Sequence, residues 1–363
     1  MLPNVSRRPV HVQMRNTLLK CHLYLSLVCG LVLLVVAVTG CALVFELQMD
    51  RWFDPSVSYA ASGPPLPLAN LSAALAATPG QKISEFNFGP PGTSVMAKMT
   101  GGRRVYLDPA TAHVLGVREG EPPSFWVRHI HRELAAGVFG ANVVRIASFA
   151  VIFQSISGMI LWWPRKRLRV KTHGSLRRFS FDLHHSAGFF SALFLAVIAA
   201  TGIVKGYGDA LQPFFDRVTG SPAGVRTRAS KSGPHQASID DALRAAQAAL
   251  PSASVGRVTL PKTATASYLI TMKYPGDSTV PGRSWVVVDR YSGKAIAQQD
   301  SRTAPAGAQI PIVNRAIHVG GIFGVPTRIL AFLTGLALLG QLITGLVLWR
   351  KKAAVGASRA VAA

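Results

Sequence analysis

Four stretches of the chain stay apolar for about the thickness of a bilayer, and the polar stretches between them alternate between long and short. The apolar runs cover roughly Leu18–Phe45, Asn142–Trp163, Phe181–Val204 and Pro326–Trp349. Each can cross a hydrocarbon core of ~30 Å, which takes ~20 apolar residues as a helix. Long polar loops, 46–141 and 205–325, follow the first and third runs, and a short link, 164–180, joins the second to the third. Inside the loops the period changes. Leu68–Ala77 and Ile239–Leu250 have helical spacing, and short alternating stretches follow them, as in half-buried strands. These end in "VYLDPATAHVLG" and "VVVDRYSGKAIA", where Asp108 and Asp289 predict a hairpin turn between the last two strands. The pattern predicts an α-helical membrane protein with four transmembrane helices and a small α+β domain in each long loop.

The second half repeats the first. "KCHLYLSLVCGLVLLVVAVTG" aligns with "DLHHSAGFFSALFLAVIAATG" without a gap, so that His22 precedes Thr39 by 17 residues and His184 precedes Thr201 by 17. His131 precedes Ser157–Gly158 by 26, and His318 precedes Thr344–Gly345 by 26. Two spans per half give both halves the same topology, two parallel repeats related by an axis along the membrane normal.

Composition agrees: 49% of the 363 residues are hydrophobic and only 15% charged. The net charge of +23 is mostly topology. Segments 1–17, 164–180 and 350–363, with Lys20 at the edge of the first span, carry fifteen basic residues and no acid, which places them and both termini in the cytoplasm. Loops 46–141 and 205–325 are then outside, and no nucleic-acid footprint is left over. Loop 205–325 holds fourteen basic and seven acidic residues, loop 46–141 eight of each, so the second could attract an anion or simply present a solvated basic face. The first apolar run exceeds a signal-peptide core of ~7–15 residues and reads as a retained helix. "VTGC" at Val38–Cys41 has a lipoprotein-like look, but Thr-Gly recurs at Thr201 and Thr344 without a cysteine. Cys21, Cys29 and Cys41 all lie in the first span, so no disulfide framework is expected in the loops.

The four repeated histidines carry the chemistry. His22 and His184 fall at the cytoplasmic starts of the first and third spans. His131 and His318 fall before the second and fourth, each on a short helix ahead of a glycine-containing break, "LAAGVFGAN" or "VGGIFGVP". The repeat therefore gives one pair near each membrane face. Two imidazoles facing across a bundle suit the axial positions of a b-type haem, each with its other ring nitrogen donating to a carbonyl or carboxylate. Two haems b are expected, an inner one on His22 and His184 and an outer one on His131 and His318. Zinc is the rival, but two histidines fill only half its tetrahedral shell. Seventeen helical residues rise about 26 Å, which puts Thr39–Gly40 and Thr201–Gly202 at the depth of the outer pair, and Ser157–Gly158 and Thr344–Gly345 at the inner. The glycines could let a flat porphyrin approach, or simply pack helices closely. His185 is the reserve inner ligand. His129 lies about 200° round a helix from His131 and cannot share its metal. His11, His113, His173 and His235 have no counterpart role. Arg145 and Arg328, at the outer starts of the second and fourth spans, could pair with haem propionates or anchor at the interface.

"DLHHSAGFFSALFLAVIAATGI", "HRELAAGVFG" and the strand endings of form V-x-x-D-x-x-[ST]-[GA] resemble the PepSY-associated transmembrane helix family of bacterial inner-membrane proteins, over roughly 15–352. Some members are dihaem ferric-siderophore reductases acting at the periplasmic face. The resemblance implies PepSY-like periplasmic domains and haem ligands at His22, His131, His184 and His318. It also implies a haem-dependent oxidoreductase that serves iron acquisition by reducing a ferric siderophore or other Fe(III) chelate. Ser26 departs from the family's H-x-x-x-G in the first span. No G-x-G-x-x-G follows a strand, so the electrons must come from outside, from membrane quinol or a cytoplasmic reductase. The competing readings are a dihaem cytochrome serving another periplasmic acceptor, such as copper or a partner protein, and a membrane-anchored module that binds protein or peptide without redox chemistry. A transporter is disfavoured, because Gln154 and Gln341 are the only strongly polar residues at mid-depth.

Overall fold

A computed structural model describes residues 10–54, 63–76, 82–90, 92–164, 166, 168–222, 229–230, 233, 235–277 and 281–361. Arg7, Arg8, Ala77, Arg165 and Arg167 lie outside the described residues. In chain order the helices are α1 (Val10–Leu43), α2 (Glu46–Phe53), α3 (Leu68–Ala76), α4 (Pro123–Glu133), α5 (Gly137–Trp162), α6 (Leu176–Gly206), α7 (Gly208–Thr219), α8 (Ile239–Ala249), α9 (Ala306–His318) and α10 (Val325–Val361). The strands are β1 (Ile83–Phe88), β2 (Val95–Met99), β3 (Arg104–Leu107), β4 (Val114–Arg118), β5 (Ser254–Thr259), β6 (Tyr268–Lys273), β7 (Ser284–Val288) and β8 (Ala295–Gln299). Contacts divide the chain into two compact units.

The first unit comprises Met1–Val44, Val127–Tyr207 and Ile317–Ala363. Its long helices pack in the cyclic order α1, α5, α6, α10. Small residues on the inside, Ala147, Ala150 and Ala199, let the backbones approach, with Leu33 and Leu195 filling between them. Val28, Leu31, Phe190 and Leu193 point outward and are exposed. Helices apolar on both faces suit a bundle surrounded by hydrocarbon. All four are long and apolar enough to cross a membrane. They also outrun the apolar runs: α1 begins at Val10 rather than Leu18, and α6 at Leu176 rather than Phe181. Hydropathy measures the hydrocarbon, whereas backbone hydrogen bonding continues through Arg177 and Arg178 to a Ser175 cap whose side chain accepts from the Arg178 amide.

The second unit comprises Phe45–Trp126 and Gly208–Ala316. Two separate α+β domains were expected from the pattern. The strands instead form one antiparallel sheet in the order β4-β3-β2-β1-β5-β6-β7-β8. The join is the β1–β5 pair, with Phe86 opposite Val258 and Asn87 opposite Arg257. Separate domains would leave β1 and β5 as bare edges, each a row of unpaired backbone groups. Helices α3 and α8 share one core with the sheet: Leu71, Leu75, Ala242 and Ala246 pack with Phe86, Val258, Ile270, Met272 and Val286. Burying each of the larger side chains contributes about 1.5–3 kcal/mol. Asp240 of α8 reaches across to the α3 N-terminus, accepting from the amides of Leu68 at 2.8 Å and Ala69 at 3.1 Å.

The two aspartates mark turns, as their sequence context predicts. Asp108 accepts from the Ala110 amide at 2.8 Å and Asp289 from the Ser292 amide at 2.7 Å, closing β3–β4 and β7–β8. Helices α2 and α7 were not anticipated. Each ties to the start of a histidine-bearing helix within this unit. Asp50 of α2 accepts from the Ser124 hydroxyl at 2.6 Å and its amide at 3.1 Å, at the start of α4. Gln212 of α7 donates to the Gly307 carbonyl at 3.2 Å, at the start of α9. Asp50 and Gln212 each stand 28 residues after His22 and His184 respectively.

Candidate functional site

The candidate site is built from the four repeated histidines, all within the helical unit. His22 lies on α1 and His184 on α6, while His131 and His318 lie at the ends of α4 and α9. Each ring meets a hydroxyl at the depth expected from the spacing, and the structure assigns the individual partners. Nδ1 of His22 is 2.8 Å from Ser157 Oγ, and Nδ1 of His184 is 2.9 Å from Thr344 Oγ1. Nδ1 of His131 is 3.0 Å from Thr39 Oγ1, and Nδ1 of His318 is 3.1 Å from Thr201 Oγ1.

The hydroxyls determine the tautomer. Thr39, Thr201 and Thr344 donate their own protons to the carbonyls of Val35, Val197 and Gly340, at 2.6, 2.8 and 2.6 Å. Their oxygens can therefore only accept from the imidazoles. Nδ1 of His131 and His318 also faces a carbonyl, Val36 O at 3.0 Å and Ile198 O at 3.1 Å, and a carbonyl cannot donate. The proton sits on Nδ1, which leaves the Nε2 lone pair available to a metal. Burial pushes His131 down to about 4 and His318 to about 3, so both rings are neutral at pH 7.

Glycines lie under the rings. A Cβ added at Gly40 would come within 3.1 Å of His131 Cε1, and one at Gly202 within 3.2 Å of His318 Cε1. At Gly158 and Gly345 the approach to His22 and His184 would be 3.5 Å. The sequence offered these glycines as clearance for a porphyrin or for bare helix packing. What they make room for is the imidazole itself.

His131 and His318 face each other with ring centroids 6.4 Å apart and planes inclined by 56°. A metal bound ~2 Å from a nitrogen of each ring sets two imidazole centroids about 6 Å apart, so the separation of this pair is the one a shared ion requires. Among the described residues no cluster of three or more His, Cys, Asp or Glu could hold a metal ion. The donor set is thus two imidazoles, suited to a metal whose remaining positions come with it.

The chain belongs to the PepSY-associated TM family. The family model, a PepSY-associated TM region, matches residues 19–352, nearly the whole chain. No curated protein matches the sequence significantly. With its four apolar helices, this member of the PepSY-associated TM family is a multi-pass membrane protein.

The remaining candidates fall into place around the quartet. His185 bonds the carbonyl of Phe181 in its own helix at 2.9 Å, whereas His184 takes the cross-helix hydroxyl. His129 is 3.5 Å from the Glu133 carboxylate. Arg145 donates to the Gly206 carbonyl at 3.0 Å and to Asn142 at 2.7 Å, and lies over the Tyr207 ring, which ties it to the end of α6. Arg328 is half-buried. The sequence reading missed Lys205, whose charge bears on both His131 and His318. The signal was available: Lys205 stands four residues after Thr201, on the same face of α6. It also missed the glutamines' role. Gln154 donates to the His22 carbonyl at 2.8 Å and to Ser26 Oγ at 2.6 Å, and Gln341 donates to the His184 carbonyl at 3.2 Å. Ser26, where the resemblance led one to expect glycine, is thus a partner for Gln154. Its counterpart Gly188 lies against the Gln341 amide.

Proposed function

We propose that this protein is a dihaem b electron-transfer enzyme of the bacterial inner membrane that reduces the iron of ferric siderophores, or of related Fe(III) chelates, at its periplasmic face. The observation that carries the reading is the common mount of four histidines, each with Nδ1 within 3.1 Å of a hydroxyl from another helix, and one pair with ring centroids 6.4 Å apart. His22 and His184 would hold the inner haem, His131 and His318 the outer. Haem, when bound, supplies a one-electron relay with both axial positions filled, which suits electron transfer rather than oxygen activation.

The chain's own part is positional. Ser157, Thr344, Thr39 and Thr201 fix the orientation of the rings, and the surrounding apolar helices exclude water. Lys205, with Arg145 and Arg328, supplies positive charge for carboxylates at the outer pair. The basic segments 1–17, 164–180 and 350–363 hold the termini in the cytoplasm, the two halves act as parallel repeats, and the sheet unit stands in the periplasm. Quinol or a cytoplasmic reductase supplies the electrons, one for each Fe(III) reduced. Fe(II) is held less firmly by hard oxygen ligands and is released for transport.

The test is a reduced-minus-oxidised absorption spectrum of the purified chain with a pyridine haemochrome count. Two b haems per chain, falling toward one in His131→Ala or His22→Ala, support the reading. A colourless protein after expression with ample haem sinks it, leaving a membrane-anchored binding module.

A further inference from the structure

The sheet unit holds a cavity of about 520 Å³ whose wall, among the described residues, carries three cations, Lys82, Lys262 and Arg290, and no acid. It lies at one end of the β1–β5 join. Lys82 precedes β1, Lys262 lies in the β5–β6 turn and Arg290 in the β7–β8 turn, so three segments distant in sequence converge there. Thr100, Gln236 and Tyr291 add neutral polar groups. The volume falls within the ~300–1,000 Å³ usual for small-molecule sites.

Arg290 is only partly used by the fold. Its Nη1 donates to the Thr263 carbonyl at 2.5 Å and its guanidinium lies 5.5 Å from the Tyr291 ring centre. Its Nε is buried and has no hydrogen-bond partner among the described residues. A buried donor without a partner is costly, and it marks this guanidinium, part of the cavity wall, as incompletely satisfied by the fold. The turn itself does not need these residues. In the first half the equivalent turn, after Asp108, is made with Pro109 and Ala110 where Arg290 and Tyr291 follow Asp289.

We propose that this cavity is a recognition site for a small organic polyanion whose carboxylates pair with Lys82, Lys262 and Arg290. Cations on three separate segments around a wide cavity suit charges carried on different arms of one molecule better than a single compact anion. An Fe(III) complex of such an acid is the member of the class that the proposed reductase would use, a step that rests on that reading; the binding does not.

The experiment is calorimetric titration of the full chain in detergent with citrate, with ferric citrate and with inorganic phosphate, alongside its haem count. Saturable citrate binding is expected, at least tenfold tighter than phosphate and weakened by salt. Arg290→Ala and the double variant Lys82→Ala/Lys262→Ala should each weaken it at least tenfold while leaving the melting temperature within a few degrees of the parent. Absence of citrate binding, equal binding of phosphate, or unchanged binding in the exposed-lysine double variant would overturn the proposal. A chain that binds citrate but no haem keeps this site and loses the redox reading. One that carries haem and ignores citrate does the reverse.

Discussion

Nδ1 of His131 lies 3.0 Å from Oγ1 of Thr39, and that hydroxyl spends its own proton on Val35. A residue 92 positions away thus dictates which ring nitrogen of His131 is free. The same relation recurs between His318 and Thr201 and between His184 and Thr344.

Removing the hydroxyl should therefore act through the histidine. Thr39→Val keeps the shape and deletes the acceptor, and outer-shell partners of metal-bound histidine typically contribute 10–100-fold in affinity. His131 retains the Val36 carbonyl, so the loss should sit at the low end, about tenfold. Among the described residues His22 has Ser157 as its one Nδ1 partner, and Ser157→Ala should cost nearer the high end. Haem retained per chain through stepwise washing measures both. Equal retention in the two variants and the parent would remove the hydroxyls from the site.

The glycines make a graded prediction. A methyl at Gly40 or Gly202 meets a ring atom at 3.1 or 3.2 Å, closer than ordinary contact, whereas at Gly158 and Gly345 it sits at 3.5 Å. Overpacking of this kind costs about 1–3 kcal/mol. Gly40→Ala and Gly202→Ala should lower haem content or shift its spectrum, and Gly158→Ala and Gly345→Ala should not. The reverse order would mean that the glycines clear space for something other than the imidazole.

The shared depth of the histidines and the Thr-Gly or Ser-Gly pairs was legible in sequence because both lie on helices, where a residue count is a distance; that a hydroxyl rather than a carbonyl or carboxylate would take Nδ1 of His22 and His184 was not. A rise of ~1.5 Å per residue turns 17 positions into a depth. The β1–β5 join was not legible. Alternation shows which face of Phe86 or Val258 is buried, but not which strand lies beside it, and the two are 172 positions apart. Helix α2 was hidden for another reason. "ELQMDRWF" is short and amphipathic, and it follows an apolar run strong enough to mask it. The glutamines were visible as polar residues in apolar runs, but their donation to the carbonyls of His22 and His184 needed coordinates.

The single sheet can be tested by cross-linking. Asn87 and Arg257 are paired across β1 and β5, and Arg257 Nε donates to Asn87 Oδ1 at 2.7 Å. Facing positions of an antiparallel pair hold Cβ atoms ~4.5–5.5 Å apart, within the adjustment a disulfide allows. Asn87→Cys with Arg257→Cys, in a chain whose Cys21, Cys29 and Cys41 are replaced by alanine, should oxidise to an intramolecular disulfide. The closed loop should run faster on a non-reducing gel. Two separated domains would leave both thiols free to alkylation.

Asp50 should matter for stability beyond what a partly exposed acid suggests. Its carboxylate accepts from both the hydroxyl and the amide of Ser124, which is only 3% exposed. Asp50→Ala leaves those two donors buried without an acceptor, at about 1–3 kcal/mol. For a unit of this size that is a fall in melting temperature of roughly 2–12 °C. Asp50→Asn keeps one acceptor oxygen and should lose about half as much. Gln212→Ala, in the second half, should be milder, because Ser221 holds the Gly307 amide at 2.9 Å without it. Thermal unfolding of the three variants in detergent, followed by tryptophan fluorescence, ranks them. If Asp50→Ala melts with the parent, the α2–α4 tie contributes nothing, and the short helix after the first span is there for another reason.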